Sequence, residues 1–130
     1  MDFMEKHKDR IFFSGGEQNP LPLFGIDVGP GWIPLIEKLA DELCEIDTNN
    51  IIRFVQIKQK FGGLRFYTDH VGNDRDRDLW QKEMAIISKY EKLAEVTCER
   101  CGQPGICRNT GWRMTLCDDH YKEYLSKKGA

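Results

Sequence analysis

Four residues near the end of the chain have the types and the spacing of metal ligands. Cys98 and Cys101 form one pair with two residues between them, and Cys117 and His120 form a second pair with the same spacing. Soft thiolate and imidazole ligands in two such pairs are typical of a tetrahedral zinc site. The sequence therefore predicts that these four side chains bind Zn²⁺.

The predicted zinc site is structural rather than catalytic. Four protein ligands leave no open position for water, and catalytic zinc needs such a position. A segment of about thirty residues buries too little apolar surface to fold alone, so the ion would supply the missing free energy. Cys107 lies between the two pairs and is the one alternative ligand, in place of His120 or another of the four.

The residues around the four ligands predict a knuckle, a hairpin and a helix. Gly102 closes the Cys98–Cys101 knuckle, Asn109–Gly111 is a turn sequence, and a polar helix is expected from Asp118. That order, with two ligands at the start of the helix, resembles a treble-clef zinc finger. The resemblance covers only about residues 97 to 128.

Two amphipathic helices and a β-hairpin are predicted before the zinc segment. Apolar residues recur at helical spacing from Ile33 to Ile46 and from Asp76 to Val96. Residues 51–59 and 64–68 are rich in β-branched and aromatic residues, and the glycines Gly62 and Gly63 between them predict a tight turn with positive φ. Residues 14–31 are rich in turn formers and are expected to form part of an ordered arm with little regular structure.

These elements predict an α+β fold. Residues 1–97 are expected to form a helix, hairpin and helix body with an N-terminal arm, and residues 98–130 the zinc-binding module. Alternation along the hairpin divides its side chains between the two faces of the sheet. Val55, Ile57, Leu64 and Phe66 are predicted to face the core, whereas Gln56, Lys58, Lys60, Arg65 and Tyr67 are predicted to face solvent.

The composition favours a cytoplasmic protein. The formal net charge of -2 gives no overall attraction to nucleic acid. Five cysteines are an odd number, which suits a reducing compartment better than a disulfide framework. No apolar run approaches the roughly 20 residues that a membrane-spanning helix needs, so no membrane partner is expected.

The sequence offers little support for an enzyme. A metal-dependent nuclease would need a histidine base, and with His120 assigned to zinc the remaining candidate is His70, beside Asp69. A solvated loop histidine is the simpler interpretation. None of the paired carboxylates, at Asp41/Glu42, Asp74/Asp76/Asp78 and Asp118/Asp119, is in an apolar context. No phosphate-binding loop is present, and Cys44 has no neighbouring base in the sequence. The nuclease therefore ranks third among the hypotheses.

Basic and aromatic residues mark two candidate partner-binding surfaces. Residues 51–68 contain four Lys or Arg residues and no acidic residue. Such a surface can bind nucleic acid, by holding phosphates and stacking bases, or it can anchor a protein partner. The candidate residues are Lys58, Lys60, Arg65 and Tyr67 on the hairpin and Arg108, Trp112 and Arg113 in the zinc module, all expected to be exposed.

Several segments of the chain resemble small proteins encoded by bacteriophages and prophages. They are Gly31–Glu37, Val55–Tyr67, Cys98–Gly105 and Gly111–His120. The resemblance implies a zinc site and a phage setting in the cytoplasm of a host cell, but no activity. It favours a non-enzymatic binding protein that engages a host protein, for example to inhibit an antiviral defence component. A nucleic-acid-binding regulator is the alternative.

Overall fold

The computed structural model describes residues 3–11, 25–71 and 76–128 and gives the chain an α+β fold. A three-stranded sheet has the order β1-β2-β3, and a separate two-stranded sheet is formed by β4 and β5. The strands are β1 (Ile26–Asp27), β2 (Ile52–Lys60), β3 (Gly63–His70), β4 (Ile106–Arg108) and β5 (Met114–Leu116). The helices are α1 (Phe3–Lys6), α2 (Lys8–Ile11), α3 (Ile33–Ile46), α4 (Arg77–Ala94) and α5 (Asp118–Lys128).

Helix α3 has the bounds that its apolar spacing predicts. It follows a 3₁₀ turn at Pro30–Trp32, and its own Pro34 lies in the first turn, where the missing N–H costs no helical hydrogen bond. The helix ends at Asp47, whose carboxylate accepts hydrogen bonds from the N–H groups of Ile51 and Ile52 at 3.0 and 2.7 Å. This carboxylate therefore fixes the connection between α3 and β2.

The first segment of the chain is anchored to the body by a buried ion pair. Arg10 Nη1 of α2 lies 2.5 Å from Asp47 Oδ2 and donates to the carbonyl of Ile52 at 3.0 Å. Phe3 and Ile11 are also buried. The expected ordered arm is thus confirmed for residues 3–11, whereas most of the turn-rich stretch lies outside the described residues.

The hairpin forms as predicted, but its turn uses different residues. β2 and β3 pair antiparallel up to Lys60 and Gly63, and the two turn residues, Phe61 and Gly62, have φ values of 54° and 80°. Positive φ at both positions is the pattern of a type I′ turn. The expectation that Gly62 and Gly63 supply the positive φ is therefore wrong for Gly63. The second residue with positive φ in the turn is Phe61.

A bulge in β2 changes which side chains face the core. The pairing register shifts between Phe54 and Gln56, so that Val55 is an extra residue in β2. Phe54 and Ile57 are both fully buried, together with Leu64 and Phe66 of β3. The prediction that Val55 faces the core is wrong, because the bulge leaves it only half-buried.

The core lies on one face of the three-stranded sheet, beneath α3 and α4. α4 begins after Asp76, whose carboxylate caps the helix by accepting from the N–H of Leu79 at 3.0 Å. None of the helices in the described part of the chain has the length and apolar character that crossing a membrane requires. The largest fully buried side chains are Trp32, Phe54, Ile11, Ile36, Leu39, Leu43, Ile52, Ile57, Leu64, Leu116 and Glu83.

Candidate metal centre

The structure brings the four predicted ligands together. The ligand atoms of Cys98, Cys101, Cys117 and His120 all lie within 4.8 Å of one another. Cys101 Sγ and Cys117 Sγ are 3.8 Å apart, and His120 Nδ1 is 3.7 Å from Cys98 Sγ and 3.2 Å from Cys117 Sγ. Zn–S bonds of about 2.3 Å and Zn–N bonds of about 2.0 Å imply tetrahedral edges of about 3.8 Å for S–S and about 3.6 Å for S–N. The cluster therefore has the size and the donor atoms of a tetrahedral metal site.

Two structural elements position the ligands in pairs. Cys98 and Cys101 lie in the loop that follows α4, where the N–H of Gly102 donates to the carbonyl of Cys98 at 2.9 Å. Cys117 directly precedes α5, and His120 lies in the first turn of that helix. The β4–β5 hairpin connects the two pairs, so the ends of this hairpin determine the distance between them.

The backbone around Cys98 stabilises its thiolate. Cys98 is fully buried, and burial raises the pKa of a thiol, but backbone N–H groups of Cys117, Cys101 and Arg100 point at the sulfur. Their hydrogen bonds outweigh the burial and lower the pKa of Cys98 to about 6. The thiol is therefore largely deprotonated at neutral pH, which is the form that binds a metal.

Cys101 shows the opposite tendency. The N–H of Gln103 lowers the pKa of the Cys101 thiol, but loss of hydration and the neighbouring sulfurs of Cys98 and Cys117 raise it by more, so the net pKa is raised. Several thiolates in contact repel one another, and a cation between them removes that cost. The electrostatics of the cluster thus favour a bound cation.

The knuckle of the metal cluster packs directly against the loop before α3. The N–H of Gly31 donates to the carbonyl of Glu99 at 2.8 Å, and Trp32 Nε1 donates to the carbonyl of Thr97 at 2.8 Å. A Cβ atom at Gly31 would lie 2.2 Å from the carbonyl oxygen of Cys98. Only glycine allows this approach, so the loop and the knuckle are fitted to each other.

A buried carboxylate joins the knuckle to both hairpins. Glu99 accepts hydrogen bonds from the N–H of Thr115 at 3.1 Å and from Gln59 Nε2 at 3.3 Å. Burial raises the pKa of Glu99, and these two donors act against the rise. Thr115 Oγ1 in turn donates to the carbonyl of Gly62 at 2.7 Å, and Gln59 Nε2 donates to the carbonyl of Arg113 at 2.8 Å. Gly62 in the turn of the β2–β3 hairpin is therefore bonded to Thr115 of β5, and Gln59 of β2 is bonded to Arg113, which comes directly before β5.

The predicted hairpin surface lies on the sheet face opposite the core. Lys60 is exposed, Tyr67 is 42% exposed, and Lys58 and Arg65 are half-buried cross-strand neighbours. Lys58 Nζ lies 5.8 Å from the centre of the Tyr67 ring. In the other predicted surface, Trp112 is 71% exposed and Arg113 is also exposed. Whether these residues contact a partner stays a prediction.

Arg108 does not belong to the predicted exposed surface of the zinc module. Its side chain is only 12% exposed, because Nη2 pairs with Asp118 Oδ1 at 2.7 Å and Nε donates to the carbonyl of Leu116 at 3.2 Å. The guanidinium carbon lies 4.5 Å from the centre of the Tyr121 ring. The prediction that Arg108 is exposed is wrong, because this side chain braces β4 against the start of α5.

Cys107 lies outside the metal cluster. It occupies the middle of β4, opposite Thr115, and is exposed. Its sulfur contacts the turn of the other hairpin, since a Cβ atom at Gly62 would lie 2.9 Å from it. The structure therefore groups His120, rather than Cys107, with Cys98, Cys101 and Cys117 in the cluster that could hold a metal ion.

The sequence did not indicate two contacts that involve histidines. His70 is the last residue of β3, and its Nε2 lies 2.5 Å from Glu83 Oε2. Glu83 is buried, and its other carboxylate oxygen, Oε1, accepts a hydrogen bond from Thr68 Oγ1. The prediction of a solvated loop histidine is therefore wrong, and the buried Glu83 was not among the carboxylates considered from the sequence. The sequence does contain a signal for the burial of Glu83. Leu79, Glu83 and Ile87 are four residues apart, and this spacing places Glu83 in the buried stripe of α4.

The second contact joins His7 to Cys44. His7 is buried, and its Nδ1 lies 3.8 Å from Cys44 Sγ. Burial lowers the pKa of His7, as does the nearby charge of Lys6. Cys44 thus has a neighbouring base, although the two residues are far apart in the sequence. The rings of Phe3 and Phe54 enclose His7, with centroids 4.7 and 5.4 Å from its own, so this pair belongs to the packing of the arm on the body.

Comparisons with known proteins add no family to this description. No model of a known protein family matches the chain, and no solved structure matches it. The geometry alone identifies an α+β protein with a cluster of three cysteines and one histidine that could hold a metal ion.

Proposed function

We propose that this chain is a zinc-stabilised, non-enzymatic binding protein that engages another protein. The observation that carries the proposal is the exposure of large apolar side chains on the β2–β3 and β4–β5 hairpins. Phe61 is 68% exposed, Trp112 is 71% exposed and Ile106 is 58% exposed. Exposed aromatic side chains on rigid elements are frequent anchors of protein interfaces, and folding gains nothing from exposing them.

Zinc is the ion that best fits the donor set. Three thiolates and one imidazole in tetrahedral arrangement suit Zn²⁺ better than the oxygen-preferring Mg²⁺ or Ca²⁺. The order of knuckle, hairpin and helix around the ligands is similar to that of a treble-clef zinc finger. With all four positions taken by protein, the ion would have a structural role.

The resemblance to phage and prophage proteins suggests the class of partner. Under this proposal the protein acts in the cytoplasm of a host cell and occupies a surface of a host protein, with an antiviral defence component as the candidate. A small protein without a catalytic constellation can act in this way because blocking a surface requires only affinity.

Metal analysis and affinity capture test the proposal together. The purified chain is expected to hold about one zinc per molecule. Tagged, zinc-loaded protein is expected to retain a specific host protein from lysate, and Trp112→Ser is expected to lose it. Trp80→Ser is the matched control, because Trp80 is 53% exposed but lies in the first turn of α4. Capture of no specific protein, or equal capture by Trp112→Ser, would contradict the proposal.

Binding to nucleic acid remains the alternative, using the cations Lys58, Lys60 and Arg65. It requires an affinity that falls steeply with salt, since cations that contact phosphates displace bound counterions. Charge reversal of the three residues would then abolish binding. Salt-independent binding, or none, would exclude this alternative. The third hypothesis, a nuclease, requires metal-dependent cleavage that His70→Ala abolishes without unfolding the chain.

A further inference from the structure

We propose that the ends of the two hairpins form one docking face for an acidic protein segment, with Phe61 and Trp112 as its anchors. This inference rests on the proposed function and specifies the kind of partner. The term docking face denotes Phe61 and Trp112 together with the cations Lys60 and Arg113, all of which are exposed.

Contacts at Gly62 hold the two hairpins together. A Cβ atom at Gly62 would lie 2.9 Å from Cys107 Sγ and 3.5 Å from Arg113 Cβ. Phe61 and Trp112 are the chain neighbours of Gly62 and Arg113. These two exposed aromatic side chains therefore project from backbone segments that touch one another, and they present one surface. Ile106 lies outside this surface, because it precedes Cys107 in β4 and successive side chains of a strand point to opposite faces.

The backbone of Phe61 indicates that this residue is not present for the sake of folding. Its φ of 54° lies in the left-handed region, where a bulky side chain is unfavourable and where Asn or Gly would be accommodated. Its side chain is also 68% exposed, so it contributes little to the core. A strained and exposed aromatic residue at the tip of a hairpin is expected where the side chain serves a contact with another molecule.

Charge complementarity indicates an acidic partner. Residues 51–68 contain four of the 19 Lys and Arg residues and none of the 21 Asp and Glu residues, so the rest of the chain has 15 cations against 21 anions. Lys60 and Arg113 lie beside the anchors, and their charges favour carboxylates at the rim of an interface. The acidic remainder of the chain would repel the same partner and thereby restrict docking to this face.

The positions of the lysines favour a protein over a nucleic acid. Lys60 Nζ lies 5.5 Å from the centre of the Phe61 ring, and Lys58 Nζ lies 5.8 Å from the centre of the Tyr67 ring. Each ring thus already has a cation over one face, which leaves only the other face for a stacked base. A protein partner can leave this arrangement intact. Its apolar side chains would contact the rest of the Phe61 side chain, and its carboxylates would contact Lys60.

A random peptide library displayed on yeast, selected against the zinc-loaded full-length chain, tests the docking face. The selected peptides are expected to be rich in Asp and Glu around at least one large apolar residue. Phe61→Asn and Trp112→Ser are each expected to weaken peptide binding about tenfold or more, as for interface anchors. Trp80→Ser should bind as tightly as the original chain. Replacing both Lys60 and Arg113 by Glu should remove the preference for acidic peptides.

Three results would overturn the docking face. The first is a selection that yields no binders, or peptides without acidic enrichment. The second is unchanged binding by Phe61→Asn and Trp112→Ser, and the third is tighter binding of single-stranded oligonucleotides than of the peptides at this face. Phe61→Asn introduces a residue that tolerates positive φ, so this variant should fold. If its thermal midpoint is unchanged or higher, loss of binding is not caused by unfolding. A host protein that is captured equally by the original chain, Phe61→Asn and Trp112→Ser would overturn the docking face and leave host-protein binding itself standing.

Discussion

The body and the metal module of this protein are stabilised in different ways. The body has a continuous apolar core in which Trp32, Phe54 and Leu39 are fully buried. Within the described part of the module, residues 98–128, Cys98 and Leu116 are the only buried hydrophobic residues, whereas Glu99, Thr110 and Thr115 are buried polar residues. We therefore expect the body to fold on hydrophobic burial, and the module to depend on a bound metal and on contacts with the body.

Removal of the metal should separate the two regions most clearly. Cys117→Ser or a strong chelator is expected to unfold the module, because structural zinc contributes apparent binding energies of about 10–16 kcal/mol in isolated zinc-finger peptides. The body should persist, since its core includes none of the four ligands. Hydrogen exchange read by mass spectrometry should show loss of protection in residues 98–128 and retention in β2, β3 and α4.

Cys107→Ser provides the control for that experiment. Cys107 is an exposed cysteine in the same module but lies outside the cluster, so this variant should keep both the metal and the protection pattern. Equal loss of protection across the whole chain after chelation would show that the two regions fold as one unit.

The largest expected effect in the body comes from the buried pair of Arg10 and Asp47. Asp47→Ala leaves the Arg10 charge without its partner, and breaking a buried pair in this way costs about 3–5 kcal/mol. Chemical denaturation should show the loss, whereas metal content should not change. Lys6→Ala, which removes the exposed pair with Asp41, should change stability by less than about 1 kcal/mol.

The same carboxylate predicts a dependence on pH. Burial raises the pKa of Asp47, but hydrogen bonds from the amides of Ile51 and Ile52 and from Arg10 outweigh it, so the folded pKa lies below the ordinary value. A depressed pKa means that this contribution is fully present above the ordinary pKa of an aspartate and is lost as the pH falls through the folded value. Denaturation at decreasing pH should show this loss in the original chain and not in Asp47→Ala.

Substitution of Gly31 tests the joint between the two regions. In Gly31→Ala the new Cβ atom would overlap the carbonyl oxygen of Cys98, and forced repacking of this kind costs about 1–3 kcal/mol. Metal affinity should fall as well, because the displaced carbonyl belongs to a ligand. Gly63→Ala is the control, since its nearest contact would be an ordinary 3.5 Å to the carbonyl oxygen of Lys60. Equal behaviour of the two variants would show that the joint tolerates displacement.

The smallest expected effect has the opposite sign. Phe61→Asn should stabilise the chain by about 1 kcal/mol, because Asn tolerates the left-handed backbone that Phe occupies in the turn. The thermal midpoint should rise, whereas Phe61→Leu, which keeps the strained backbone, should show no gain. A lower midpoint for Phe61→Asn would mean that the Phe61 ring contributes to holding the two hairpins together.

Local patterns explain which features the sequence predicts well. The bounds of α3 follow from Pro34 and from the polar residues after Ile46, both of which act within one turn of the helix. The four metal ligands are predictable because their chemistry depends on residue type and short spacing. The hairpin follows from two β-rich runs around Gly62, whatever the rest of the chain does.

Contacts between distant segments explain what the sequence did not show. Val55 leaves the core because a bulge shifts the pairing of β2 with β3, and alternation within one strand carries no record of it. Arg108 is covered because Asp118 and Tyr121, ten or more residues away, fold over it. His70 meets Glu83 only when α4 packs on β3. Each of these depends on tertiary structure rather than on a local pattern.

X-ray absorption at the zinc edge of the purified chain tests the metal site most directly. We expect about one zinc per molecule, with three sulfur neighbours at about 2.3 Å and one nitrogen neighbour at about 2.0–2.1 Å. Those neighbours would be the sulfurs of Cys98, Cys101 and Cys117 and Nδ1 of His120. A protein without zinc, or a zinc ion surrounded mainly by oxygen, would contradict the assignment of these four residues as a structural metal site.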